Sequence, residues 1–251
     1  MIQKEWDSIL ATMPLLELPE GFLPFWQEQK EKARNVGKVQ RIPHVCGNEE
    51  MAVYKKVTFS ASDGQQLYAR YIRPAGSGKF PLVLMFHDAD RPVRGWHHMT
   101  RFIALGYSVF ALQNRETGSP QQHITDALSA AHVALQLRYT DPDRVYAWGE
   151  GLGGTLAIAV SALFDVAKCA AQNPLCSGSY AACACFASLL KAPFLMATSG
   201  MDSIAPPENQ LVVYSAVQGP KGHYLYPKYV HERINAFEDR LIVFLHPAVV
   251  I

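Results

Sequence analysis

The stretch Val145-Tyr-Ala-Trp-Gly-Glu-Gly-Leu-Gly-Gly-Thr155 decides the fold. Val145 to Trp148 reads as a buried strand. The glycines at 149, 151, 153 and 154 make a sharp turn, and the small-residue run from Thr155 to Leu163 reads as a helix. Glycines in such a turn let the helix approach the strand closely and let the chain reverse within a few residues. Two motifs compete for it. Glycines 149, 151 and 154 fit a G-x-G-x-x-G dinucleotide fingerprint. That motif follows the first strand of its unit and has an acidic residue about 20 residues on, at a strand end. Here the turn lies far along the chain, and Asp165 precedes a strand. The other motif is a nucleophile elbow, G-x-S-x-G, with Gly149 and Gly153 as its flanking glycines and position 151 as its nucleophile. Position 151 is Gly, so the elbow has its frame and lacks its hydroxyl.

Partners for such an elbow follow in the right chain order. Asp202 lies just past the apolar run Phe194-Leu-Met-Ala-Thr198, and His231 lies just past Gly222-His-Tyr-Leu-Tyr226. An acid and then a histidine after the elbow, each beyond a strand's carboxyl end, is the hydrolase order. Working outward, Pro81-Leu-Val-Leu-Met-Phe86 and Tyr107-Ser-Val-Phe-Ala-Leu112 read as strands buried on both faces. Val166 to Ala171 reads as a further strand. Helices are predicted over about 95–105, from Ile124 to Leu137 and from Phe237 to Leu245. Asp141-Pro-Asp-Arg144 reads as a turn, and 172–192 has no clear pattern. Val57-Thr-Phe-Ser-Ala61 and Gln66 to Arg73 flank Asp63-Gly64, a hairpin signal. The lead-in contains a helix starting near Pro24 with Phe25 and Trp26 turned inward. Together these give an α/β fold: a mostly parallel central sheet flanked by helices, with a leading antiparallel hairpin. Residues 1–43 form a helical extension on the core and 44–251 the remainder of one domain.

The residues resemble a known family at several points: Leu18-Pro-Glu-Gly-Phe22 with Phe25-Trp26, Phe59 to Asp63-Gly64, Phe86-His87, Ala104 to Phe110 and Asp141 to Val145. Met201-Asp202 with Pro206-Pro207, Tyr226-Pro227 and His231-Glu232 complete the series. In this order they resemble the acetyl xylan esterase and cephalosporin C deacetylase group of α/β-hydrolases, carbohydrate esterase family seven. The resemblance implies the α/β-hydrolase fold and a serine esterase acting on acetylated sugars and related small acylated molecules. It implies Asp202 and His231 as catalytic partners of position 151. It also implies an oxyanion hole made by the backbone N–H groups of Ala89 and Leu152. Homo-oligomeric assembly is a further implied property.

The departures from that pattern bear on activity. Gly151 supplies no attacking oxygen, so no acyl-enzyme forms there. Where the family has Gly and then Tyr after His87, this chain has Asp88 and Ala89. A carboxylate about 6 Å from a developing oxyanion opposes it by roughly 3 kcal/mol at an effective dielectric near 20. The chain is also shorter than the family's usual length, after Arg115 and between about 172 and 190. Glycine relieves the strain a nucleophile carries at an elbow. The expected function is therefore a homologue of acetyl-ester hydrolases with impaired catalysis. Two alternatives stand beside it: a non-catalytic ligand-binding or protein-interaction scaffold, and an active esterase using a water activated by Asp202 and His231. An Asp–His pair also stabilises two loops without any chemistry. Glu150, Ser199 and Ser203 are poorly placed to attack.

Composition bounds the remaining readings. The chain has 251 residues, 23 Lys plus Arg and 22 Asp plus Glu, for a net charge of +1. That balance gives no footprint for nucleic acid or an anionic membrane. Five cysteines, an odd number, fit a reduced cytoplasmic protein, and no stretch is long and apolar enough to span a membrane. Cys176, Cys183 and Cys185 lack zinc spacing, and His44, His97 and His98 have no carboxylate or cysteine cluster beside them. No metal and no cofactor are expected.

Overall fold

The computed structural model describes residues 3–13, 16–44, 50–89 and 91–246. Two strands, β2 (Ala52–Ser60) and β3 (Gln66–Pro74), form the expected hairpin. Gly64 closes it at φ +86°, and the Asp63 carboxylate accepts from the Gln65 N–H at 3.1 Å. That is the aspartate–glycine turn chemistry read from the sequence. A four-residue edge strand, β1 (Gln40–Pro43), pairs with β2. Then come β4 (Phe80–Phe86), β5 (Ser108–Gln113), β6 (Thr140–Glu150), β7 (Lys168–Gln172), β8 (Phe194–Ser199) and β9 (Lys221–Tyr226). The nine described strands lie in the order β1-β2-β3-β5-β4-β6-β7-β8-β9. Pairing is antiparallel from β1 to β5 and parallel from β5 to β9.

Strands buried on both faces explain the continuous apolar runs. Leu82, Leu84 and Phe86 of β4 face the core under α2 (Phe22–Ala33), α4 (Pro120–Leu135) and α5 (Leu152–Leu163). Val83 and Met85 face the opposite core, under α3 (Trp96–Ala104) and α8 (Asn235–Leu245). Ser119 and Gln122 make a reciprocal capping box that starts α4, with Pro120 in its first turn.

Several expectations need correction. The Asp141–Arg144 turn does not precede the strand; it is a bulge inside it. Phe80 pairs with Thr140 and Leu82 with Val145, so 141–144 are looped out, held by Arg144 on Asp141 at 2.7 Å. Of the two lead-in aromatics only Trp26 is buried, against Phe186 at 5.0 Å, while Phe25 is 41% exposed. Three elements went unread: α1 (Gln3–Leu10), β1, and α7 (Pro207–Ala216), the last with a proline in its first turn. The Trp6 ring of α1 stacks on His223 at 3.9 Å, and burial pushes that imidazole down to about 3. The stretch 172–192 holds a 3-10 turn over Gly178–Tyr180 and α6 (Ala182–Ser188). Cys169, Cys176, Cys183 and Cys185 are buried free thiols, and Cys46 lies outside the described residues.

Candidate active site

The strand ends of the parallel half converge on one point. β6 ends at Glu150, and α5 begins at Leu152. Gly151 between them sits at φ 57°, ψ −125°, a left-handed conformation in which glycine has no side-chain strain. Its N–H donates to the Gln172 carbonyl at 2.9 Å, and its own carbonyl accepts from the Gly154 N–H at 3.0 Å. The flanking glycines are required by packing. A Cβ on Gly149 would stand 2.0 Å from the Gly153 carbonyl oxygen, and one on Gly153 would stand 2.3 Å from the Phe86 carbonyl oxygen. This close helix–strand approach keeps the α5 amino end against the end of β4.

From that end of β4 come His87, Asp88 and Ala89. Asn114, at the end of β5, fixes this segment by donating to the His87 carbonyl at 2.7 Å. The Asp88 side chain turns inward. Its Oδ1 accepts from the Leu152 N–H at 2.9 Å and from the Ala89 N–H at 2.9 Å. The two N–H groups singled out in the sequence thus do converge, and they converge on a carboxylate oxygen of the chain itself. The expectation of a carboxylate some 6 Å off, opposing an oxyanion, is therefore corrected. Asp88 Oδ1 occupies the place between the two donors, and would lie 2.0 Å from a Cβ on Gly151.

The other carboxylate oxygen completes a chain of three side chains. His231 Nε2 donates to Asp88 Oδ2 at 2.7 Å, and its Nδ1 donates to Asp202 Oδ2 at 2.7 Å. Asp202, in the turn after β8, is fully buried at its side chain, and its Oδ1 accepts from the Ile204 and Ala205 N–H groups at 2.9 and 2.8 Å. Gln172 holds the segment bearing His231. Its amide donates to the Glu232 carbonyl at 2.9 Å and accepts from the Ile234 N–H at 3.2 Å. Gly151, Asp88, Ala89, Leu152, Asp202 and His231 all meet here. Ser199 instead takes the Asn173 side chain, donating its N–H to the amide oxygen at 2.8 Å and accepting at its hydroxyl at 2.9 Å. Glu150 points away, into an ion pair with buried Arg94.

Charge follows from this geometry. Burial alone would lower the His231 pKa, but hydrogen bonds to Asp202 and Asp88 and the charges of both carboxylates raise it to about 9. At neutral pH His231 is an imidazolium with both nitrogens donating. For Asp88, burial pushes the carboxyl up, and the bonds from His231, Leu152 and Ala89 outweigh it, leaving the pKa below its ordinary value. The site therefore holds two carboxylates, one imidazolium and four backbone N–H donors, with all four carboxylate oxygens satisfied.

The role of Asp88 escaped the sequence reading. A signal was present: an aspartate directly after His87 in the same chain as a glycine at the apex of the 149–153 turn. Gly151 presents no side chain, and Asp88 fills the space beside it. Among the described residues no group of three or more His, Cys, Asp and Glu is placed to hold a metal ion. His98 accepts from Arg94, and His44 stacks on Trp96 at 5.1 Å.

Known proteins match this architecture over nearly the whole chain. A family model described as acetyl xylan esterase (AXE1) matches residues 5–124, 121–178 and 175–247. Acetyl xylan esterase 1 from Thermoanaerobacterium sp. JW/SL YS485 superposes with a TM-score of 0.83 at 21% identity, covering 98% of each chain. An acetyl xylan esterase from Paenibacillus sp. R4 superposes at 0.87 with 18% identity, covering 99% of this chain and 100% of that one. A cold-adapted esterase from an Arctic intertidal metagenomic library superposes at 0.69 with 13% identity, covering 83% and 97%. At these identities the superpositions establish the α/β-hydrolase fold.

Proposed function

We propose that this chain, which belongs to the acetyl xylan esterase family, is a member that has given up acyl-enzyme catalysis and keeps the site in a self-occupied state. The observation that carries this reading is Asp88 Oδ1, 2.9 Å from both the Leu152 and the Ala89 N–H. Serine-esterase chemistry needs an attacking hydroxyl, a neutral histidine to take its proton, and vacant donors for the developing oxyanion. Gly151 lacks the first. His231, held charged by two carboxylates, cannot serve as the second. Asp88 uses up the third. A water-based route meets the same obstacle, because the Nε2 that would activate a water already donates to Asp88.

A small acylated molecule or acetylated sugar is the ligand that the family name suggests, bound without turnover. Use of the fold as an interaction scaffold is the second reading. It gains support if no substitution awakens hydrolysis. A cytoplasmic location rests on the odd number of cysteines. Homo-oligomeric assembly is carried over from the family.

Hydrolysis of 4-nitrophenyl acetate tests the proposal. Wild type and His231→Ala are expected to share one background rate. Gly151→Ser alone stays silent, because its Cβ meets Asp88 Oδ1. The pair Asp88→Gly with Gly151→Ser frees the donors, returns His231 toward neutrality and gains at least about 100-fold over background. Wild-type turnover that depends on His231 would sink the proposal.

A further inference from the structure

Beside the Asp88–His231–Asp202 chain, and sharing none of its residues, lies a cluster of arginines. It sits where the β4–α3 loop meets the β9–α8 loop. Among the described residues it holds Arg91, Arg94, Arg101 and Arg233 against only two carboxylates, Glu150 and Glu238, an excess of two positive charges. Glu238 and the Oε2 of Glu150 are engaged from the inner side, while the buried Oε1 of Glu150 has no hydrogen-bond partner and faces Arg91. Arg94, with a side chain only 5% exposed, donates to Glu150 and to Glu238, and Arg101 donates to Glu238.

The outer two arginines make only long ion pairs. Arg91 approaches Glu150 no closer than 3.7 Å and reaches the His231 carbonyl at 3.4 Å. Arg233 stays 4.0 Å from Glu150 and 3.8 Å from Glu238, and its buried Nε has no hydrogen-bond partner. Both side chains are over a third exposed, and both line a cleft of about 300 Å³ together with Arg94, His97 and His98. His98 is neutral and adds no positive charge of its own. Burial and the charges of Arg94 and Arg101 push it down to about 3, so its Nε2 is a neutral acceptor for Arg94. The α3 amino end, capped by Gly95 without a side-chain bond, opens on the same cleft and adds to the positive field.

We propose that this cleft binds a small oxyanion-bearing molecule, a phosphate or a carboxylate, through Arg91 and Arg233. Guanidinium forks match either group bidentately. The cleft volume suits a headgroup with a few attached carbons. Arg91 touches the backbone of His231, so a bound anion sits directly next to the family site.

Isothermal titration tests it, with inorganic phosphate in one arm and succinate in the other, at ionic strength fixed with sodium chloride. Wild type is expected to bind one equivalent saturably in at least one arm, and the stronger arm identifies the headgroup. Arg91→Ala with Arg233→Ala should weaken binding by at least about tenfold, a loss in line with one charge-assisted hydrogen bond. The single Arg233→Glu, on a side chain at the surface, should do the same without touching the buried Arg94. Arg144→Ala, at an exposed ion pair in the β6 bulge, should bind as wild type does, which separates this cleft from surface charge in general. No saturable binding in either arm, or binding that both arginine variants leave unchanged, overturns the proposal.

Discussion

His231 stands between two carboxylates that are bonded alike and built differently. On each side one oxygen takes a ring N–H at 2.7 Å, and the other takes two backbone N–H groups at 2.8–2.9 Å. On the Asp202 side both backbone donors, Ile204 and Ala205, lie within three residues. The turn organises its own carboxylate, as Asp commonly does in tight turns. On the Asp88 side one donor is the next residue and the other is Leu152, 64 residues away at the start of α5. The Asp202 half is a local motif. The Asp88 half exists only once β4, β6 and α5 are assembled, and it occupies the space that an elbow side chain would need. Similar hydrogen bonding can thus be structural on one side of a histidine and obstructive on the other.

The widest separation between the halves should appear on truncation. Asp202→Ala strands the Ile204 and Ala205 N–H groups and leaves a buried imidazolium with one partner, at an expected cost of about 3–5 kcal/mol. Asp88→Ala leaves the buried Leu152 N–H without its partner, but Ala89 is exposed and His231 can revert to neutral. Its expected cost is about 1–3 kcal/mol. Urea unfolding curves measure both, and equal costs would erase the distinction drawn between the two sides.

A smaller effect sharpens the electrostatic half of the comparison. The folded pKa of His231 is raised to about 9 from 6.5. Its contribution to stability is fully present below pH 6.5 and is lost as the pH climbs through 9, on the order of 3 kcal/mol in total. Asp88, lowered in the fold, contributes above the ordinary carboxylate range and loses that contribution as the pH falls through its folded value. Stability should therefore decline between pH 6.5 and 9, and Asp88→Asn should flatten much of that decline. A decline that the Asn variant reproduces in full would assign the titration to another group.

Much of this was legible in the residues. Continuous apolar runs gave the parallel strands, Asp63-Gly64 the hairpin, and the glycines at 149–154 the elbow. The spacing of Asp202 and His231 past two strand ends placed them at one site, because that placement depends only on topology. Elements without a strong period were missed. β1 has four exposed residues, and the position of α1 is set by Trp6 meeting His223 far along the chain. Asp88 was legible as a departure and illegible as a ligand. Its rotamer is chosen by Leu152 and His231, both distant in sequence, and by the absence of a Cβ at 151. Two residues that look independent in a string, Asp88 and Gly151, share one space in the fold.

The central claim is that Asp88, seated on the Leu152 and Ala89 N–H groups, holds His231 charged. The most direct test is a nitrogen-15 and proton NMR titration of the His231 ring in the wild type and in Asp88→Asn. The wild type should show both ring nitrogens protonated at pH 7 and titrate near pH 9, with the Asn variant titrating distinctly lower. A wild-type ring that is neutral at pH 7, or a titration the Asn substitution does not move, would contradict the account.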